Sequence, residues 1–317
     1  MAPEVTAVAI VRETRPTRDS RLHSSRTAVA TCRAYRPVGH VGILPDRFAP
    51  GRRVIAMDDL DIALEAARTG ARIVAQAFAT GITAQYKSHH DPVTEVDRAS
   101  EAAVTAVIRD RRPHDGILAE EGTGDAVTGR RWINDPLDGT VNFIHGIPQV
   151  SVSVALWDDD EPLVGVVLDA LRNEEFAAAA GAGATCNGAP IRVTPTADLS
   201  RAVVATGFPY DHSDHATAYL ASVRVMLERV NGIRRLGSAA LDLAWLAAGR
   251  YDAYWEMQVA PWDMAAGAIV VMEAGGTVTG VDGSSRPPQS GPILASNGHL
   301  HEELVALLAP HIPDHLT

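Results

Sequence analysis

The chain has 317 residues, of which 46% are hydrophobic and 21% are charged, as is ordinary for a globular protein with one large domain or two fused lobes. No apolar run approaches the roughly 18 residues that a membrane-spanning helix needs, and two distant cysteines exclude a disulfide framework or a zinc pattern. We therefore expect a cytoplasmic protein without a membrane partner.

The net charge of -11 is unevenly distributed along the chain. Residues 1–53 contain ten arginines and four acidic residues, whereas the remainder contains 18 basic and 35 acidic residues. An acidic body argues against nucleic acid as a partner, because phosphate backbones bind basic surfaces. Acidic residues gathered at one site suggest metal ions instead.

Residues 1–56 are rich in arginine, are interrupted by proline and glycine, and show no sustained periodicity. This composition predicts a disordered basic extension. A start-site artefact and an organelle transit peptide are the alternatives. Helical spacing becomes regular from Asp58, which predicts a folded domain over residues 57–317.

The predicted elements then follow in a clear order. Two helices, over about 58–81 and 96–112, precede short strands at 117–119 and 132–134 and a run of strands between 150 and 179. After residue 196 strands and helices alternate, with helices at 216–230, 239–248, 261–274 and 301–308. The chain thus has helices first, then an antiparallel meander, and then alternating strands and helices. This order predicts two layered lobes, an N-terminal α+β lobe over about 57–195 and a C-terminal α/β lobe over about 196–317.

The segment Trp132 to Phe143 carries the sharpest chemical signal. A strand delivers Asp135 at its end, and Pro136 fixes a turn and withholds an amide. The run Asp138-Gly-Thr140 predicts a helix start, where free backbone amides bind phosphate. Metal-binding carboxylates beside such a helix start are typical of phosphoryl transfer. A capped turn is the alternative, and it explains less of the run.

Two further acidic segments end a strand or begin a helix. Glu120 and Glu121 follow a short apolar strand, where hard oxygen ligands suit Mg²⁺. Pro261 begins a helix with Asp263 in its first turn, a position that the helix dipole favours for a carboxylate. Taken alone, the first segment is better explained as a solvated pair, and the second is equally well explained as a plain helix start.

The fourth segment runs from Lys87 to Asp97. Thr94 has the position of an N-cap, and Asp97 three residues later completes a capping box. Lys87 is the only lysine among 28 basic residues. A retained ammonium in an arginine-rich chain suggests a supporting role at a tight site.

At these residues the chain resembles the inositol monophosphatase family. The resemblance covers roughly Met57 to the C-terminus, and it is carried by Asp91–Asp97, Ala119–Glu121, Trp132–Phe143, Gly237–Ala239 and Trp262–Gly267 with Glu273–Gly276. It implies an αβαβα layered sandwich, a phosphatase with two or three Mg²⁺ ions, lithium sensitivity, and a homodimer.

The resemblance also implies roles for individual residues. The implied metal ligands are Glu120, Asp135, the carbonyl of Leu137, Asp138 and Asp263. Asp97 would orient Thr140, and this pair together with Glu120 would activate the attacking water. Phosphate would bind the amides of Gly139 and Thr140, and the alcohol portion of the substrate would contact Asp138, Ala239 and Glu256.

One departure concerns the substrate. Animal inositol monophosphatases place a histidine where Ala260 stands, at a position that lines the substrate pocket. We expect hydrolysis of inositol monophosphate or a similar polyol phosphate. Histidinol phosphate, fructose bisphosphate and phosphoadenosine phosphate are alternatives, as is a non-catalytic role in RNA or transcription assemblies.

Overall fold

The computed structural model describes residues 50–80, 85–86, 92–122, 129–210, 212–284, 290–313 and 316. Lys87, Asp91 and the first 49 residues lie outside this part of the chain. Within it, no helix has the length and apolar character needed to cross a membrane.

The helices of the described residues begin and end as follows. They are α1 Pro50–Phe78, α2 Glu95–Arg111, α3 Thr140–Ile144, α4 His212–Leu227, α5 Ala239–Ala247, α6 Pro261–Glu273 and α7 His301–Leu308. The first helix thus begins ahead of Met57, where regular spacing was expected to start.

The strands form three sheets. A two-stranded ribbon contains β1 Gln85–Tyr86 and β2 Pro92–Val93. The larger sheet contains β3 Gly116–Ala119, β4 Arg130–Asp138, β5 Ser151–Asp158, β6 Glu161–Asp169, β7 Glu174–Ala179, β8 Gly183–Cys186 and β9 Ala189–Pro190. The other sheet contains β10 Val203–Thr206, β11 Gly232–Arg234, β12 Ala253–Val259, β13 Thr277–Thr279 and β14 Gly291–Ser296.

Both large sheets are mixed. In the larger sheet the strands lie in chain order from β3 to β9, with β3 parallel to β4 and the remaining pairs antiparallel. The smaller sheet has the order β11-β10-β12-β14-β13, in which β10 runs parallel to both neighbours. This meander followed by crossovers matches the predicted change of pattern near residue 196.

The helices and the two large sheets form five layers, and three hydrophobic cores hold them together, of which the middle one contacts both sheets. Helices α1 and α2 pack on one face of the larger sheet, and α5 and α6 fill the space between the two large sheets. Helices α4 and α7 cover the far face of the smaller sheet. The αβαβα sandwich expected from the sequence is therefore confirmed.

Local signals located most helix starts correctly. Thr94 caps α2 in a capping box with Asp97, and Pro261 begins α6. The strand predicted at 132–134 was too short, because β4 continues through an irregularity in its register to Asp138.

A buried ion-pair network ties the first helices to the larger sheet. Asp59 in α1 is fully buried, and its carboxylate accepts hydrogen bonds from Arg112 at 2.9 Å and from Arg130 at 2.5 Å. Arg130 also bonds Asp115 at 2.9 Å, and the Trp132 indole donates to the same Asp115 oxygen. The network therefore joins α1, the end of α2 and the start of β4.

We expect Asp59→Ala to lower the free energy of unfolding by about 3–5 kcal/mol, because it leaves two arginines without their buried partner. Urea denaturation measures this change. Glu65→Ala is the control, since Glu65 pairs with Arg111 at 3.3 Å where both side chains are about half exposed. Glu65→Ala should lower the free energy of unfolding by less than about 1 kcal/mol. Equal losses in the two variants would contradict the assigned importance of the network.

Candidate functional site

A cavity of about 810 Å³ lies where the ends of several elements meet. Its walls come from the ends of β3 and β4, the first residues of α3, α5 and α6, and the last part of β12. Six acidic side chains line it: Glu120, Asp135, Asp138, Asp242, Glu256 and Asp263. The volume suits a small-molecule ligand.

The structure brings most of the sequence-predicted site residues together in this cavity. The lining includes Glu120, Asp135, Leu137, Asp138, Gly139, Thr140, Ala239, Glu256 and Asp263. Asp97 is fully buried and reaches the cavity through Thr140. Lys87 lies outside the described residues, so its supporting role stays a prediction.

Asp138 is held by donors from both halves of the fold. Its Oδ2 atom accepts hydrogen bonds from Ser151 at 3.1 Å, from the Ser238 hydroxyl at 2.5 Å and from the Ala240 amide at 3.0 Å. Ser151 lies opposite Asp138 in the larger sheet, whereas Ser238 is the N-cap of α5. This carboxylate therefore joins β4 to the start of α5.

The other two aspartates are held in the same way. Asp135 accepts the Leu137 amide on Oδ1 at 2.9 Å, and Asp263 accepts the Ala260 amide on Oδ2 at 2.8 Å. In each case the backbone donor comes from the turn that carries the aspartate. Because each bond engages one oxygen, the second oxygen remains for another ligand.

Burial and mutual repulsion make this cluster electrostatically costly. Burial raises the pKa of Asp135 well above 3.8, and the charges of Glu120, Asp138 and Asp263 raise that pKa further. The pKa of Asp263 is raised well above 3.8 by burial first, then by Glu120 and Asp138. Burial also raises the pKa of Asp138, although hydrogen bonds from Ser238 and Ser151 oppose it.

These donors fit a hard divalent cation in their chemistry. They are carboxylate and carbonyl oxygens only, which Mg²⁺ prefers, and their repulsion is what a bound cation removes. As the side chains stand, no three Asp, Glu, His or Cys groups in the described ranges enclose a ready-made metal site.

Thr140 lies between a buried carboxylate and a backbone carbonyl. Its hydroxyl oxygen is 3.0 Å from Asp97 Oδ1 and 3.1 Å from the Leu137 carbonyl oxygen. The second carboxylate oxygen of Asp97 accepts the Thr94 amide and hydroxyl. Asp97 therefore caps α2 and orients Thr140, two roles that its two oxygens separate.

Gly139 has a backbone conformation that no other residue adopts easily. Its φ of 91° is left-handed, and a Cβ there would lie 2.8 Å from the Gln149 carbonyl oxygen. This turn directs the chain from β4 into α3. It places Gly139 and Thr140 at the cavity wall beside Asp138.

Glu256 lines the cavity from β12. The Tyr254 hydroxyl donates to its Oε2 at 2.5 Å, and Gly207 leaves room for the carboxylate, since a Cβ there would lie 2.0 Å from Oε2. Burial raises the pKa of Glu256 to about 7, while Tyr254 and Arg235 lower it.

Sequence reasoning missed several residues that support the site. The sequence indicates Ser238 only as part of the Gly237–Ala239 motif, but this residue is the N-cap of α5 and its hydroxyl donates a hydrogen bond to Asp138. Glu101 was read as part of a helix, yet its carboxylate accepts the Glu121 amide at 2.7 Å and so anchors the turn that carries Glu120. Asp242 resembled an ordinary helix residue and lines the cavity. Long-range partners of this kind leave no local pattern.

Comparisons with known proteins agree with this geometry. The model of the inositol monophosphatase family matches residues 57–313. A Nus factor SuhB of Pseudomonas aeruginosa is 42% identical over 265 residues, covering 81% of this chain and 98% of that protein. An inositol-1-monophosphatase of Synechocystis is 45% identical over 221 residues, covering 69% and 77% respectively.

Solved structures show the same fold. An inositol monophosphatase from Anabaena matches with a TM-score of 0.73 at 40% identity, covering 81% of this chain and 97% of that one. An IMPase/NADP phosphatase complexed with Mg²⁺ and phosphate matches with a TM-score of 0.67 at 25% identity, covering 75% and 90%.

The raised pKa values predict how pH affects the metal-free protein. A carboxyl group whose folded pKa lies above its unfolded value of about 3.9 holds a proton more tightly when folded. The group therefore contributes its full stabilisation below its unfolded pKa, and this contribution is lost as the pH rises through its folded pKa. In EDTA, we expect the free energy of unfolding to fall between pH 5 and pH 8 more steeply in the wild type than in Asp263→Asn.

Denaturation at several pH values measures both slopes. Adding Mg²⁺ at pH 8 should raise the melting temperature of the wild type more than that of the variant, because the cation relieves repulsion between ionised carboxylates. Identical slopes in EDTA would mean that Asp263 does not take part in the repulsion.

Proposed function

Given that the chain belongs to the inositol monophosphatase family, we propose that it hydrolyses small phosphomonoesters in a Mg²⁺-dependent reaction, with inositol monophosphate or a similar polyol phosphate as substrate. The observation that carries this proposal is the meeting of Glu120, Asp135, Asp138 and Asp263 in one cavity beside the start of α3. An oxygen-only cluster next to the first backbone amides of α3 suits a phosphate ester bound through cations.

The proposed metal ligands are Glu120, Asp135, the Leu137 carbonyl, Asp138 and Asp263. Two or three Mg²⁺ ions would bind there and supply Lewis-acid chemistry, which lowers the pKa of bound water and neutralises phosphoryl oxygens. We expect Li⁺ to inhibit by competing for these oxygens.

The chain's own groups carry out the remaining tasks. The amides of Gly139 and Thr140 would hold the phosphate at the cavity wall. Thr140 would accept a proton from the attacking water at Oγ1, because Asp97 accepts its hydroxyl hydrogen at 3.0 Å. Water attacks phosphorus in line and gives up a proton through Thr140 to Asp97, the bond from phosphorus to the ester oxygen breaks, and the oxygen of the leaving alcohol takes up a proton from solvent.

Asp138, Ala239 and Glu256 would contact the alcohol portion. Asp138 is held through Oδ2 by three donors, so a metal ion would engage the remaining oxygen. Tyr254 keeps Glu256 in place from the core side. We further propose that the protein acts in the cytoplasm as a homodimer, without a membrane or nucleic-acid partner.

Asp138→Asn tests the proposed reaction. We expect phosphate release to fall by at least about 100-fold, since this residue contributes both to the metal site and to the junction with α5. Release from a panel of polyol, sugar and nucleotide phosphates with Mg²⁺, and then with added Li⁺, measures activity and substrate preference together.

Asp160→Asn is the matched control, because Asp160 is an exposed acid in the turn between β5 and β6. It should keep wild-type activity. Circular dichroism should report the same fold in both variants. Near-normal turnover in Asp138→Asn would refute the mechanism, and a strong preference for histidinol phosphate would replace the polyol assignment.

A second candidate function is association with a transcription assembly. The name of the Pseudomonas aeruginosa relative and the ten arginines of residues 1–53 favour it, while the acidic remainder opposes it. Deleting residues 1–49 spares α1 and separates the two roles. Loss of RNA binding with unchanged phosphate release would support this candidate alongside the enzyme.

A further inference from the structure

Three polar side chains interrupt the apolar buried face of α2. Asp97, Ser100 and Glu101 lie together on this face, which continues with Val104 and Ile108. Ser100 is fully buried and Glu101 is 2% exposed, so both side chains are removed from solvent. Polar groups buried in this way destabilise a fold unless they form hydrogen bonds. The partners of Ser100 and Glu101 therefore indicate what these two residues do.

Glu101 holds the turn that follows β3. Its Oε2 atom accepts the Glu121 amide at 2.7 Å, directly after the proposed metal ligand Glu120. The Gly122 amide donates to the Ala119 carbonyl oxygen at 3.3 Å across the same turn. The position of Glu120 therefore depends on both bonds.

Ser100 holds the turn at the end of β4. Its hydroxyl donates to the Pro136 carbonyl oxygen at 2.8 Å, in a bond that is buried. Pro136 lies between Asp135 and Leu137, which supply a carboxylate and a carbonyl oxygen to the proposed metal site. The bond fixes the peptide plane between Pro136 and Leu137, and with it the backbone that carries both ligands.

The close approach of α2 depends on a glycine in α1. A Cβ at Gly70 would lie 2.7 Å from the Ser100 hydroxyl oxygen and 2.9 Å from Val104 Cγ2, so a larger residue would require α2 to shift. Neither Ser100 nor Glu101 lines the cavity. Their contribution to the site therefore passes through the backbone of the two turns that they hold.

We propose that Ser100 and Glu101 are positioning residues that set the affinity of the carboxylate cluster for Mg²⁺. This inference rests on the proposed metal-dependent function and adds to it two residues that bind no ligand themselves. They hold the turns after β3 and at the end of β4 before a cation arrives, so less ordering is needed when it binds. Loss of a partner that orients metal ligands lowers metal affinity or activity by about 10- to 100-fold.

The support from α2 reaches only part of the cluster. Asp138 is held by Ser151 and Ser238, and Asp263 is held by the Ala260 amide, and none of these donors belongs to α2. Changes in α2 should therefore weaken Mg²⁺ binding and leave these two acids in place. Phosphate release should then recover when the Mg²⁺ concentration is raised, because mass action refills the weakened site.

Isothermal titration calorimetry with Mg²⁺ measures the affinity without substrate. For Ser100→Ala and Glu101→Met, we expect the dissociation constant of Mg²⁺ to rise by about tenfold or more. Glu101→Gln keeps an acceptor oxygen for the Glu121 amide and should retain most of the affinity. Phosphate release by Ser100→Ala and Glu101→Met should be low at limiting Mg²⁺ and should approach the wild-type kcat at saturating Mg²⁺.

Thr105→Val is the matched control, because Thr105 lies one turn after Glu101 in α2 and carries a buried hydroxyl with no hydrogen-bond partner among the described residues. Its affinity for Mg²⁺ should equal that of the wild type. Circular dichroism checks the fold of every variant, and Ser100→Ala, which removes a single oxygen atom, provides the test if Glu101→Met is unfolded.

Three results would overturn the proposal. The first is wild-type Mg²⁺ affinity in Ser100→Ala and in folded Glu101→Met, which would leave both residues a structural role only. The second is a loss of affinity in Glu101→Gln as large as in Glu101→Met, which would separate the effect from the hydrogen bond. The third is a loss of phosphate release that saturating Mg²⁺ does not restore.

The failure of the proposed function would look different. In that case the wild type itself would bind no Mg²⁺ and release no phosphate, and the variants would have no affinity to lose.

Discussion

Repulsion among buried carboxylates is the constraint on which the rest of this structure depends. Glu120, Asp135, Asp138 and Asp263 come from three distant segments, and folding gathers them in one cavity. Burial and neighbouring charge raise the pKa of Asp135 and Asp263, which means that the ionised cluster opposes folding. Such a cluster persists in a fold only when something stabilises it, and a divalent cation does so most directly. The layered sandwich provides the rigid framework that holds the acids against this repulsion.

Several acids of the cavity are held by a donor that leaves part of the carboxylate available. Asp138 is bonded on one oxygen by Ser151, Ser238 and Ala240, and Glu256 is bonded on Oε2 by Tyr254. Asp97 divides its oxygens between the cap of α2 and the Thr140 hydroxyl. These bonds fix the side chains before any ligand arrives, so less ordering is needed when one binds. Because Ser238 caps α5 while Asp138 ends β4, a bond within the site also connects the larger sheet to a helix that packs between the two large sheets.

Much of the architecture could be predicted because its signals are local. The capping box at Thr94, the proline that begins α6 and the Gly139 turn each act through neighbouring residues, and each was found at its expected place. The full length of β4 was not predictable, since its pairing with β5 continues past Pro136, where Asp138 lies opposite Ser151. The contact of Ser238 with Asp138 joins residues one hundred positions apart, and no periodicity reports such a distance.

The same distinction explains why the sequence indicates the reaction more clearly than the substrate. The phosphate end of the cavity is built from strand ends and helix starts, whose residue types follow from the backbone geometry that they need. The rest of the lining includes Asp242 in α5 and Glu256 and Gln258 in β12, which look like ordinary positions of a packed helix and a buried strand. Only the assembled fold reveals that these residues line the same cavity as the acids of β4 and α6. We therefore expect substrate choice to depend on residues that tertiary contacts bring to the cavity and that leave the motifs of the proposed reacting centre untouched.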